Sequence, residues 1–278
     1  MKPKSRAFTL VELLVVVGII TVLIAILLPG LNRAREHANR VKCAANLHSI
    51  GQALVAYVQQ YRYYPCCEGG IRQNAIWPVR LRPFLGGNQE VFYCPSQDER
   101  CRWQKQYVGP VPRAGPDDVP FGYELGERAI DGRTYFSYGY NYAGCSTKIW
   151  GGIGHVYDGT HRGLGFWADP RGDKYIDITH GGSVGGHLAA SRVKVPSDMI
   201  AITDSMADGL NDHSVSPFLD AKAFMWPGSI HNRGANVLFC DGHVQWYLQT
   251  DLTFGALWRD DPQSQAVRRM WNNNNEPD

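Results

Sequence analysis

An excess of either charge is missing from this chain of 278 residues: 28 Lys and Arg stand against 26 Asp and Glu, a net charge of +2. Without a basic surplus, bulk electrostatics give no footing for nucleic-acid binding. No C-x-x-C pair occurs among the seven cysteines (Cys43, Cys66, Cys67, Cys94, Cys101, Cys145 and Cys240), which excludes the thiolate pattern of a zinc ribbon. No internal repeat is present, and the regular alternation of strands and helices that marks an α/β fold is missing too. What is abundant is Gly (30), Pro (16), Tyr (14) and Trp (8), the composition of a loop-rich domain containing β-structure. The length suits one membrane segment and one globular domain of about 200 residues. If that domain lies outside the cytoplasm, some cysteines should form disulfides, and the odd count leaves at least one thiol unbridged or joined to another chain.

Residues 8–28 read FTLVELLVVVGIITVLIAILL, 21 residues with a single charge, Glu12. As a helix this run would span about 31 Å, the thickness of a hydrocarbon core. The leader MKPKSRA carries Lys2, Lys4 and Arg6, which places it on the cytoplasmic side and the bulk of the chain outside. A cleaved signal peptide would have an apolar core of about 7–15 residues ending in a small-x-small site. This run is longer and is followed by Pro29-Gly30-Leu31-Asn32-Arg33. A plain anchor leaves Glu12 unexplained, since a carboxylate costs roughly 2.5–3.5 kcal/mol at a membrane helix centre, though less near its end. A third reading gives the acid a purpose. Cleavage before Phe8 would expose an α-amine, and the Glu12 of an adjoining copy would neutralise it in a low-dielectric filament core, setting the axial register.

The stretch AFTLVELLVVVGII resembles the class III signal of type IV pilins and type II secretion pseudopilins. The resemblance implies that a prepilin peptidase cuts between Ala7 and Phe8 and methylates the new Phe8 amine, with Glu12 as the assembly acid. Where the family usually has Gly before the cut, this chain has Ala7. Pro29 falls where many pilins kink, and proline does remove a backbone donor and disturb the preceding turn. His231, nine further residues and then Asp241-Gly242 match the name-giving feature of the prepilin-like H-x9-DG proteins. CAANLHSIGQALVAY, VFYCPS, SYGYN and VPSDMIAITDS are similar to that group as well, so the resemblance covers residues 1–65 and 190–250.

Beyond the apolar run, Cys43, Leu47, Ile50, Leu54, Tyr57 and Tyr61 recur at spacings of four and three, one face of an amphipathic helix that should end before Pro65. Arg33, Arg35, Arg40 and Lys42 lie largely off that stripe. Strands are expected at Val91–Cys94, Tyr135–Tyr142, Met199–Thr203, Ala223–Trp226, Asn236–Cys240 and Val244–Leu248, with Gly-rich loops over 104–133 and 151–190. Asp241-Gly242 reads as a two-residue hairpin turn, with Val237 and Phe239 on one side of the preceding strand and Leu238 and Cys240 on the other. Nine extended residues reach about 30 Å, so His231 and Asp241 are not expected to share a ligand. A packing His at the start of the strand and a turn Asp at its end account for both.

Two constellations suggest chemistry. Gly181-Gly182-Ser183-Val184-Gly185 fits G-x-S-x-G, and Asp204 and His231 follow in triad order. A nucleophile elbow needs a long helix after the serine, however, and here only Gly186 and HLAAS follow, so no enzymatic activity is expected. Asp204, Asp208, Asn211 and Asp212 offer hard oxygens suited to calcium, as do Asp169, Asp173 and Asp177 more weakly. Solvated acidic loops explain both sets, and no cofactor is expected beyond that calcium candidate. Cys43 with Cys94, and Cys66-Cys67 with Cys101, are candidate disulfides.

The expected fold is α+β and pilin-like, a long N-terminal transmembrane and spine helix packed on a mainly antiparallel sheet domain with long loops. The boundaries are a leader (1–7), a membrane or filament-core helix (8–28), an amphipathic spine (29–63), a β-rich domain (64–262) and a polar tail (263–278). The resemblance implies a structural subunit of a type IV pilus or a type II secretion pseudopilus. Its partners would be like subunits, a prepilin peptidase and an assembly platform. It would cross the inner membrane once, with its N-terminus cytoplasmic and its domain periplasmic or carried on a surface filament. The alternative is a surface adhesin or glycan-binding module exported through a pilin signal, gripping its ligand with Tyr- and Trp-rich loops.

Overall fold

A computed structural model of the chain describes residues 10–69, 76–103, 113–116, 119, 122–128, 130, 135–141, 164, 167–168, 188–207, 209, 212–219, 225–255, 261–272 and 275–276. Helix α1 runs from Leu10 to Tyr61, 52 residues in one piece, and is therefore about 78 Å long. Pro29 sits inside it without ending it. α1 stops where Arg62, in the left-handed region at φ 65°, donates its N–H to the Val58 carbonyl. That is a helix-terminating geometry, here built without glycine. Cys43, Leu47, Ile50, Leu54 and Tyr57 are buried as the 4/3 spacing predicts, but Tyr61 is 41% exposed because the chain turns away directly after it.

The remaining helices are α2 (Trp77–Leu81), α3 (Gln249–Leu252) and α4 (Pro262–Trp271). The strands are β1 (Glu68–Gly69), β2 (Tyr138–Asn141), β3 (Trp167–Ala168), β4 (Ile200–Asp204), β5 (Ser214–Val215), β6 (Phe218–Leu219), β7 (Gly234–Phe239), β8 (Val244–Leu248) and β9 (Phe254–Gly255). The main sheet has the order β5-β2-β4-β7-β8; its β2–β4, β4–β7 and β7–β8 pairings are antiparallel, and β5 joins β2 in parallel. The pairs β1–β3 and β6–β9 are short and parallel. A register shift between Ile200 and Ile202 leaves β4 with one residue more than β7 opposite it, a bulge that sharpens the local twist.

Both faces of the sheet are covered. Ile202, Leu238, Tyr138 and Tyr140 pack with Leu47, Ile50 and Leu54 of α1, while Ile200, Val237 and Phe239 pack with Leu252, Val267 and Trp271. The expected alternation along β7 is therefore present, with core on either side. The second layer departs from the polar tail expected over 263–278. Asp261 caps α4 by accepting from the Ser264 N–H and hydroxyl, Pro262 starts the helix, and Trp271 at its end is wholly buried. The Trp271 indole donates to the Leu252 carbonyl, and Asn141 donates to the carbonyls of both Trp271 and Ile200.

One expected strand, Val91–Cys94, is absent, and the described part of another, Ala223–Trp226, is not in a strand. Val91 and Phe92 lie in a 3₁₀ turn (Glu90–Phe92) rather than a strand. The neighbouring backbone groups are taken by side chains: Asn46 of α1 donates to the Tyr93 carbonyl, and the Cys94 N–H donates to the Ser137 hydroxyl. Met225 and Trp226 lie outside any strand, while 223–224 and Tyr142 fall outside the described residues.

Candidate functional site

Every residue of α1 from Leu10 to Leu31 is exposed, Leu10 to the extent of 78%. This is a continuous apolar cylinder, about 28 Å long over residues 10–28, close to a hydrocarbon core. An uncovered apolar surface of that size marks a contact with lipid or with protein. α1 is long and apolar enough to cross a membrane. Glu12 stands in its first turn, where a carboxylate is favoured by the helix dipole. Ala7 and Phe8 lie outside the described residues.

A second site lies where α1 meets the sheet. Cys43 of α1 is bridged to Cys94, with the two Cα atoms 5.2 Å apart. The Cys94 sulfur is 3.3 Å from His231 Nε2, and that nitrogen is 3.8 Å from Asp204 Oδ2 at the end of β4. The other His231 nitrogen, Nδ1, is 2.9 Å from Glu36 Oε1, a contact that places the ring proton on Nδ1. The Ser96 hydroxyl donates to the second Glu36 oxygen. Asp204 is wholly buried; its Oδ2 accepts from the Asn236 N–H at 2.6 Å, and its Oδ1 has no hydrogen-bond partner. Burial pushes the Asp204 carboxyl up to about 8, and burial lowers the pKa of the His231 imidazole, so the site favours two neutral groups.

This geometry gives the H-x9-DG residues a structural reading. His231 and Gly234 exchange backbone hydrogen bonds around Asn232 and Arg233, both at positive φ, so β7 opens at Gly234 rather than at the His. At the other end, the Phe239 N–H donates to the His243 carbonyl and the Gly242 N–H to the Phe239 carbonyl. The expected two-residue turn is thus a three-residue loop, Cys240 to Gly242, with Gly242 at φ 97°. Asp241 holds that loop by accepting from the His243 N–H, and its Oδ1 is also 2.6 Å from His243 Nδ1. The motif fastens the hairpin to α1 at two points. His231 meets Glu36, and Gly242 meets Gly51, fifteen residues and about 22 Å further along the helix. A Cβ on Gly51 would sit 2.6 Å from Leu238 Cδ1 and 3.1 Å from the Gly242 carbonyl oxygen, so this crossing needs glycine on the helix.

The calcium reading finds no common site among the described residues. Asp204 belongs to the His231 cluster, whereas Asp212 accepts from the N–H groups of Gly209 and Phe136. Asp208, Asn211, Asp169, Asp173 and Asp177 lie outside the described residues, as does Ser183. The hydrolase triad is therefore not on view, and the His231–Asp204 contact serves the disulfide cluster. Cys66, Cys67 and Cys101 are buried thiols, the last pushed up to about 12 by burial. Glu36 escaped the sequence reading. Its signal was there: it is the sole carboxylate between Glu12 and Glu68, seven residues before Cys43 on the same helical face.

A half-covered helix that carries a sheet domain on its far end defines a pilin-like α+β architecture. Residues 2–28 match the family described as the prokaryotic N-terminal methylation motif. The chain is similar to proteins named type II secretion system core protein G. It is 35% identical to that of Pectobacterium carotovorum subsp. carotovorum over 76 residues, covering 27% of this chain and 49% of the other. It is 34% identical to that of Escherichia coli over 76 residues, 27% of this chain and 52% of the other. It is 35% identical to that of Klebsiella pneumoniae over 69 residues, 25% and 49% respectively. The chain thus spans about half the length of the curated relatives it matches. No solved structure matches it. The N-terminal region is of the prepilin and pseudopilin type.

Proposed function

We propose that this chain is a structural, non-catalytic subunit of a type IV pilus or a type II secretion pseudopilus. The observation that carries the reading is the apolar half of α1, wholly uncovered by its own domain and bearing one acid in its first turn. A prepilin peptidase removes residues 1–7 and methylates Phe8. The helix waits in the inner membrane with its domain on the periplasmic side. An assembly platform then draws it out to pack against like subunits, where Glu12 meets the Phe8 amine of a neighbour. Similarity to secretion core protein G over 76 residues, together with the N-terminal methylation motif at residues 2–28, supports this sequence of events.

The test is to express Glu12→Gln beside the native assembly machinery and follow its distribution. Processing and membrane insertion should persist while the subunit disappears from the sheared filament fraction. Undiminished incorporation of Glu12→Gln would contradict the proposal.

A further inference from the structure

We propose that Cys43, Cys94, His231 and Asp204 form a zinc site that replaces the Cys43–Cys94 disulfide when the chain is reduced. One sulfur from each cysteine, His231 Nε2 and one Asp204 oxygen already lie within 4.8 Å of one another, all on buried residues. A tetrahedral zinc ion with bonds of about 2.0–2.3 Å holds its donors about 3.3–3.8 Å apart. The Cys94–His231 and His231–Asp204 separations are 3.3 and 3.8 Å, already those of a tetrahedral site; to admit the ion the two bridged sulfurs must part.

The donor set is that of zinc: two thiolates, one imidazole and one carboxylate. The surroundings are those of a metal site too. Glu36 holds His231 Nδ1 and leaves the Nε2 lone pair facing the sulfur, the arrangement in which an outer carboxylate orients a ligating histidine. Asp204 is already fixed through Oδ2 by the Asn236 N–H, while its Oδ1 is buried without a partner. A structure held by the disulfide alone leaves that oxygen unsatisfied, and a metal would use the carboxylate. The four ligands come from α1, the loop after the 3₁₀ turn, β4 and the turn before β7, so one ion ties the spine to the sheet as the bridge ties only two of those segments.

The exchange balances without further components. A phosphine and water reduce the disulfide to two thiols and become phosphine oxide; in a cell a dithiol would serve, becoming a disulfide. Zinc then binds the two sulfurs with release of their two protons, and with release of the Asp204 proton where the carboxyl carries one.

The test uses the full chain in detergent micelles, oxidised or phosphine-reduced, titrated without oxygen with Co²⁺ alone and then with Zn²⁺ alone. The reduced chain should take one Co²⁺, showing a thiolate charge-transfer band and the strong ligand-field bands of a tetrahedral ion, and Zn²⁺ should erase both. The oxidised chain should show neither band. His231→Ala and Asp204→Asn should each weaken Co²⁺ binding at least about 10-fold, Glu36→Gln should weaken it about 10-fold with the charge-transfer band kept, and Cys43→Ser should halve that band or abolish it. No thiolate band in the reduced wild type would overturn the proposal. So would a band of full strength in Cys43→Ser, wild-type affinity in both His231→Ala and Asp204→Asn, or loss of far-ultraviolet dichroism on reduction that Zn²⁺ does not restore.

Discussion

Leu14 and Leu47 are the same residue in the same helix, yet one is 67% exposed and the other wholly buried. Among the described residues, α1 is exposed from Leu10 to Leu31, while its C-terminal half is built into the core beside β7, β4 and the Cys94 loop. Burial of a leucine side chain stabilises by about 1.5–3 kcal/mol, and that stabilisation is realised within the chain only over the second half. The first half holds its apolar surface for a solvent or a partner that the chain itself does not supply. The two functions therefore sit in separate segments of one continuous helix, and Pro29 lies between them in sequence.

Truncating each leucine is the strongest way to break this contrast. Leu47→Ala should destabilise the chain in micelles by about 2–5 kcal/mol in denaturant titration, whereas Leu14→Ala should stay within about 0.5 kcal/mol of wild type. Equal losses at both positions would mean that the first half contributes to the fold. Next in size is the bridge. It closes a loop of 51 residues from α1 to the loop after the 3₁₀ turn, and replacing Cys43 and Cys94 by Ala together should cost about 2–4 kcal/mol.

The buried cluster makes stability depend on pH. Asp204 faces His231, the disulfide and the Asn236 N–H, with Glu36 and Arg40 beyond the imidazole. Its folded value of about 8 lies above the unfolded value of about 3.9. Between those values the folded chain keeps a proton that the unfolded chain has released, so stability falls as pH rises. His231 acts lower down: its folded pKa is depressed, the unfolded chain takes its proton first, and stability falls as pH drops below about 6.5. From about pH 6.5 to 8, of this pair only Asp204 acts. The unfolding free energy of the oxidised chain, from denaturant titration, should decline there by no more than about 1.4 kcal/mol per pH unit, and Asp204→Asn should flatten the decline. The smallest effect is in the turn before β7, where Arg233 sits at φ 63°. A side chain there costs about 1 kcal/mol that glycine avoids, so Arg233→Gly should raise the melting temperature by a few degrees.

The local parts of this architecture were legible in the sequence. The 4/3 spacing from Cys43 to Tyr57 marked the buried face of α1, and Asp241-Gly242 with its flanking alternation marked the β7–β8 hairpin, though not the length of its loop. What stayed hidden depends on partners distant in sequence. Glu36 and His231 are 195 residues apart, and no periodicity joins them. Val91–Cys94 has the composition of a strand, but its backbone is engaged by Asn46 and Ser137 instead of by a neighbouring strand. α4 is polar enough to pass for a frayed tail, and its burial rests on Val267 and Trp271, four residues apart, with Asp261-Pro262 as the cap that could have disclosed it.

The central claim is that the bare half of α1 is released from a leader and then packed against copies of itself. Intact mass analysis of the mature chain from its native membrane tests this most directly. The account predicts a chain that begins at Phe8 and carries one added methyl group. A mature chain that still holds residues 1–7 would contradict it.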